Sequence, residues 1–245
     1  MNTASAQLRV LISGGFSKAY EQLLPEFERM SGIKVATGSG ASQGAGPQTI
    51  AAQLARGVSA NVVILSREGL SELIAANRIA AATDVDLARV PLGVAVRAGA
   101  AKPDVGSVEA FKDALLKAAT VAVPASTSGI WLMTDLFPRL GISQRIDVKA
   151  MPRGTDATRL LAAGGAELAV MPVSEIVHAA GVDFAGPIAP EIQFVQTFSA
   201  AVVAGTADVE SSQRLIGFLA SAHACEAIRK SGMEPLADSR GADAR

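Results

Sequence analysis

The chain has 245 residues, 49% of them hydrophobic and 18% charged, with a formal net charge of -1. Such a chain buries a sizeable core in one large domain or two small ones, and disorder is excluded for most of it. A charge near zero with no basic run interleaved with aromatics argues against nucleic acid. The single cysteine, Cys225, forbids an internal disulfide and leaves the redox compartment open.

Residues 1–7 lack a cationic start followed by an apolar core, so no signal peptide is expected in the chain, although residues 4–7, "ASAQ", have the small-x-small look of a cleavage site. A mature periplasmic protein is the preferred reading; a cytoplasmic protein with a small polar tail is the alternative. No apolar stretch approaches the ~20 residues that cross a bilayer, so direct membrane insertion is not expected.

The pattern then alternates. Residues 8–12 read as a strand, and Phe16, Ala19, Tyr20, Leu23, Leu24 and Phe27 share one face of a helix. A strand at 33–36, a helix at 48–56, a strand at 62–65 and a helix at 68–76 follow. Short apolar strands separated by helices imply mainly parallel pairing with helices on both faces. After an apolar stretch at 90–96 the pattern resumes, with helices at 108–118, 129–140 and 157–163 and strands at 121–123, 148–151 and 168–171. A Gly- and Pro-rich segment at 181–190, an apolar stretch at 192–203 and helices at 209–219 and 222–230 complete the chain. The fold class is therefore α/β with two lobes of similar size.

Three hydroxyl- and glycine-rich turns stand out. Ser13-Gly14-Gly15 lies between the first strand and the first helix, where an open parallel sheet places ligands on unpaired helix N–H groups; a tight corner is the plainer explanation. Residues 37–49, "TGSGASQGAGPQT", match neither a dinucleotide fingerprint nor a P-loop. They suit an anion wrapped by backbone N–H groups and the hydroxyls of Ser39 or Ser42, or else form a linker. Ser126-Thr127-Ser128 repeats the first geometry in the second half, as a binding turn or as a plain N-cap. Ser66 ends the third strand. Arg67 and Arg153 sit at strand ends, either to pair with a ligand carboxylate or as solvated side chains.

Catalytic signatures are sparse. No His/Cys/Asp cluster has metal-ligand spacing and no nucleophile elbow occurs, so neither a metal nor another cofactor is expected. His223 and Cys225 fall in a C-terminal amphipathic helix, an ordinary setting for both. Glu175 and His178, three apart after the strand that ends at Met171, are the acid/base candidates near a strand end; an outward helix surface is the preferred reading of that pair.

"LRVLISGGFSKAYEQLLPEFERMSGIKV", "IAAQLARGVSANVVILS", "VRAGAAKPDVGSVEAF" and "SGIWLMTDLFPRLGI" occur in the order and spacing of a known family. Over roughly residues 8–235 the chain resembles the molybdate-binding type of periplasmic solute-binding protein, a type II two-lobed ligand trap. The resemblance implies a small anionic ligand between lobes formed by 1–88 with 200–245 and by 89–199, with hinge strands near 90–96 and 193–203. It also implies a monomer that serves an ABC-type membrane permease. Molybdate binders usually carry a serine where this chain has Gly15, and a tyrosine before Thr-Asp-Ala where it has Pro172 before Val173-Ser174-Glu175. Both changes remove hydroxyls, which favours an organic carboxylate over a tetrahedral oxyanion. Ser13, Gly14, Gly15, Ser42, Ser66, Arg67, Ser126, Thr127, Ser128 and Arg153 are the expected ligand contacts. The superfamily also includes an aconitate isomerase, which moves an allylic proton on a tricarboxylate. That activity is the alternative to binding alone.

Overall fold

A computed structural model describes residues 7–236, so the small-residue segment at 4–7 lies, apart from Gln7, outside the described residues. The chain divides into two compact units, Met1–Arg89 with Thr197–Arg245, and Val90–Gln196. The first unit begins with β1 (Gln7–Ile12), α1 (Gly14–Ser31), β2 (Lys34–Ser39), α2 (Ile50–Ala55), β3 (Val62–Ser66), α3 (Arg67–Ala75) and β4 (Val85–Val90). In the second unit β5 (Leu92–Arg97), α4 (Val108–Lys117) and β6 (Thr120–Pro124) lead to α5 (Thr127–Trp131), a π-helical turn (Leu132–Leu136) and α6 (Phe137–Arg139). Next come β7 (Asp147–Met151), α7 (Gly154–Ala162), β8 (Leu168–Pro172), a 3-10 turn (Val173–Glu175) and β9 (Val182–Pro187). The first unit is completed by β10 (Gln196–Val202), α8 (Val209–Leu219), α9 (Cys225–Lys230) and β11 (Glu234–Pro235).

Each unit is built on its own mixed sheet. In the first the order is β11-β4-β10-β3-β1-β2. β1 pairs in parallel with β2 and β3, whereas β10 runs antiparallel to β3. In the second the order is β7-β6-β8-β5-β9, with β6 parallel to β7 and β8, and β5 antiparallel to β8 and β9. Parallel pairing thus links β1, β2 and β3 in the first unit and β6, β7 and β8 in the second. The antiparallel neighbours give the sheets their mixed character.

Local sequence explains the elements that carry these sheets. Phe16, Ala19, Tyr20, Leu23 and Phe27 form the buried stripe of α1, as their spacing requires. Gly32 stops that helix in the left-handed region, its N–H donating to Glu28 O. β3 is buried at all five positions, which its run of branched residues ending in Ser66 allows in a central strand. In the second unit Phe111, Leu136 and Phe137 from the helical segments and Ile142 from the loop after α6 pack on Leu92, Val94, Val121, Val123 and Val170 from the strands. Ala157 and Leu161 of α7 pack with Ala122, Ala169 and Met171.

Some segments differ from the sequence expectation. The apolar stretch at 90–96 is two strands, because Pro91 offers no N–H to continue one ladder between β4 and β5. The Gly- and Pro-rich segment at 181–190 contains the edge strand β9, whose proline lies at its end, where pairing no longer needs a donor. The helix expected from 129 starts at Thr127 and passes through the π-helical turn. Beyond β8 there is a single 3-10 turn instead of a helix, which changes where Glu175 points.

Candidate functional site

Parallel strands end at one edge of their sheet, and that edge of the first unit gathers the residues following β1, β2 and β3. The N–H of Ser13 donates to Ile64 O at 2.8 Å, which pins the turn to the end of β3. Its side chain does not cap α1; the hydroxyl is buried with no hydrogen-bond partner. Gly14 opens α1 half-buried, and Gly15 is buried beside it. A methyl group on Gly15 would fall 2.6 and 2.9 Å from the Cε atoms of Phe198 and closer still to Cζ. The glycine is therefore a close-packing position.

Ser42 and Ser66 serve the fold of this edge. Ser42 Oγ accepts from the Ser66 N–H at 3.0 Å, and Ser66 Oγ accepts from the Gly69 N–H at 3.2 Å, capping α3. Residues 37–49 complete β2 and then form an ordered turn instead of a linker. Gly40 N–H donates to Ile12 O and Ala41 N–H to Gln48 O, both at 3.0 Å.

Arg67 stands at the start of α3, as anticipated, but it already carries two carboxylates of its own unit. Its Nη1 lies 2.6 Å from Asp84 Oδ2 and its Nε 2.7 Å from Asp86 Oδ1, with a further contact from Nη2 to Asp86. Ser199 Oγ donates to Asp86 Oδ1 at 2.6 Å. Burial disfavours the guanidinium charge, yet the hydrogen bonds it donates to Asp84 and Asp86 and their negative charges outweigh burial and raise the Arg67 pKa. The same bond to Arg67 lowers the pKa of Asp84. A ligand carboxylate would compete with both aspartates for this cation.

In the second unit the strand ends of β6, β7 and β8 meet at one edge, and each is followed by a helical start. Ser126 precedes α5, while Thr127 and Ser128, both buried, form its first turn. Gly129 is held tight: a methyl there would stand 2.8 Å from the carbonyl carbon of Pro124 and nearer its oxygen. Arg153 occupies the N-cap position of α7, its side chain 42% exposed and its Nε 3.3 Å from Asp156 Oδ2.

Glu175 closes the 3-10 turn after β8 and is directed into this edge. A methyl group on Gly154 would fall 2.5 Å from its Cδ, 2.8 Å from Oε1 and closer still to Oε2. The carboxyl group therefore rests on the first residue of α7. Burial pushes its pKa up from 4.5 to about 7. Next to it, the Ser174 hydroxyl is buried without a partner. His178, its companion in the sequence, is exposed.

The described residues thus place Ser13, Gly14, Gly15, Ser42, Ser66 and Arg67 at one sheet edge, and Ser126, Thr127, Ser128, Arg153 and Glu175 at another. The second edge combines two helix starts, a cation and a carboxyl group that titrates near neutrality. This is chemistry for holding an anion and moving a proton. Four participants escaped sequence reasoning: Phe198, Asp84, Asp86 and Gly154. Their roles arise from contacts between separate elements, which no local spacing announces.

The model of the bacterial extracellular solute-binding protein family matches residues 8–234. The chain belongs to that family. It is also 35% identical over 230 residues to an aconitate isomerase from a Pseudomonas species, a match that covers 94% of this chain and 88% of that relative. Among solved structures it resembles the periplasmic molybdate-binding protein of Azotobacter vinelandii, with a TM-score of 0.69 at 18% identity over 92% of this chain and 98% of the other. It likewise resembles the sulfate-binding protein of Mycobacterium tuberculosis, with a TM-score of 0.74 at 18% identity over 97% and 90% of the two chains. At those identities the two structures speak for the fold alone. No helix among the described residues is long and apolar enough to cross a membrane.

Proposed function

We propose that this member of the solute-binding family binds an organic polycarboxylate and isomerises it by moving an allylic proton, with aconitate as the substrate. The observation that carries this reading is the Glu175 carboxyl group, drawn onto the start of α7 and raised by burial to a pKa of about 7. A ligand trap needs donors, but an allylic isomerase also needs one group that takes a proton from one carbon and returns it to another. Such a group works best when its pKa lies near the working pH. The relative at 35% identity carries the name of that activity.

The step balances without a further reactant. The Glu175 carboxylate takes a proton from the substrate methylene carbon, and the electron pair of the broken C–H bond becomes the new C=C bond. The old double bond shifts its pair towards its far carbon, which receives the proton back from the Glu175 carboxylic acid. Negative charge builds on the substrate carboxyl groups between the two transfers. Arg153 and the N–H groups that open α5 and α7 stabilise it electrostatically. Ser126, Thr127 and Ser128 orient the substrate carboxylates by hydrogen bonding. In the first unit, Ser13, Gly14 and Gly15 make a separate donor-rich edge. Arg67 supports that edge through Asp84 and Asp86.

Binding alone, with delivery to a membrane permease, is the reading that the family match favours. Export of the mature chain fits the family description equally under either reading. Mixing the protein with trans-aconitate and following the vinyl proton by NMR separates them. Appearance of the cis isomer supports the isomerase. A thermal shift with aconitate and no turnover leaves a carboxylate-binding protein.

A further inference from the structure

Gly154 lies outside the left-handed region of backbone space, so the conformation of its own backbone does not call for glycine. What calls for it is the neighbour. The three atoms that a methyl group at residue 154 would meet first all belong to the Glu175 carboxyl group. We propose that Gly154 is a positioning residue: the missing side chain admits the Glu175 carboxyl group onto the first turn of α7 and holds the proton-carrying oxygens there. The kinetic part of this proposal rests on the isomerase reading; the structural part does not.

The surroundings explain why that location suits a proton carrier. α7 has nine residues, and its N-terminal end favours a nearby anion. Arg153 and Asp156 are its charged groups nearest this turn, linked to each other at 3.3 Å. His178 follows on the outer side of the same loop and is exposed. Burial opposes the carboxylate and sets the direction of its titration. A side chain at residue 154 would rotate the carboxyl group out of this environment, because the crowded atoms are the free end of a flexible side chain. The helix itself is anchored elsewhere, by Ala157 and Leu161 in the core.

The test is Gly154→Ala, with Gly217→Ala as a control, since a methyl group on Gly217 meets nothing within 4 Å. In Gly154→Ala the Glu175 carboxyl titration, followed by carbon NMR, is expected to fall from about 7 towards the ordinary carboxylate value of 4.5. On aconitate, kcat is expected to drop ~100-fold with KM little changed, as for a reacting group displaced by about 1 Å. The pH midpoint of kcat should move down with the titration, a change that mere loss of stability would not produce. The alanine should also destabilise the protein when Glu175 is present and cease to do so in the Glu175→Ala background. That double variant keeps the question open to test if Gly154→Ala alone folds poorly. An unchanged titration and kcat in Gly154→Ala, or the same destabilisation with Glu175 removed, would overturn the proposal. Absence of turnover in the parent protein would refute the isomerase reading, while titration and stability coupling would still decide where Gly154 holds Glu175.

Discussion

The ring of Phe198 fills the space that a side chain at Gly15 would need, with both Cε atoms within 2.9 Å of where a Cβ would stand. Phe198 is 2% exposed and pairs through β10 with Ser66 of β3, so it cannot easily retreat. A serine at residue 15, usual in molybdate binders, is thereby excluded from this chain by packing. Gly15→Ser should destabilise the protein by about 1–3 kcal/mol, the cost of overpacking a filled core. Denaturant titration checks this, and Phe198→Leu in the same chain should recover part of the loss.

Ser13 carries a buried hydroxyl with no hydrogen-bond partner among the described residues. Removing it takes away an unsatisfied polar group without removing a cap, since the side chain does not cap α1. Ser13→Ala should therefore stabilise the protein by about 1 kcal/mol. Melting curves of the parent and the variant check this, and an equal or lower melting temperature in the variant would contradict it.

Arg67 should act on stability before it acts on ligand. Its side chain is 29% exposed and those of Asp84 and Asp86 are 34% and 40% exposed, so solvent screens the cluster. Arg67→Ala should cost about 1 kcal/mol. The Asp84 pKa is lowered below its ordinary 3.8 by Arg67, so this contribution is complete above that value and fades as pH falls through the lowered one. Acid unfolding of the parent and of Arg67→Ala should converge at low pH.

Much of this was legible in the residues. The strand–turn–helix units around Ser13 and Ser126 follow from buried apolar runs that end in hydroxyls and glycine, and the resemblance carried the family. The direction of Glu175 was not legible. A helix after Met171 would have turned that carboxylate to solvent, whereas the 3-10 turn that follows Pro172 brings it onto Gly154. Arg67 presented the converse difficulty. Its partners lie 17 and 19 residues on, and nothing in their spacing announces that the start of β4, across β10 from β3, comes close enough to neutralise it.

Glu175 should also leave a mark on stability. Its pKa is raised from 4.5 unfolded to about 7 folded, so the folded state holds a proton that the unfolded chain releases between those values. Its contribution is thus most favourable below about pH 4.5 and is lost as pH rises through about 7, a difference of about 3 kcal/mol. Glu175→Gln should match the parent at pH 4.5 and exceed it in melting temperature at pH 8.

Glu175 as the proton carrier is tested most directly by the rate of trans-aconitate isomerisation, measured by proton NMR from pH 5.5 to 8.5 in the parent and in folded Glu175→Gln. The parent rate should rise with pH through a midpoint of about 7, as the carboxylate form accumulates, and level off above it. Glu175→Gln should lose turnover at every pH while still binding aconitate. Isomerisation by Glu175→Gln at the parent rate, with the same pH midpoint, would contradict the assignment.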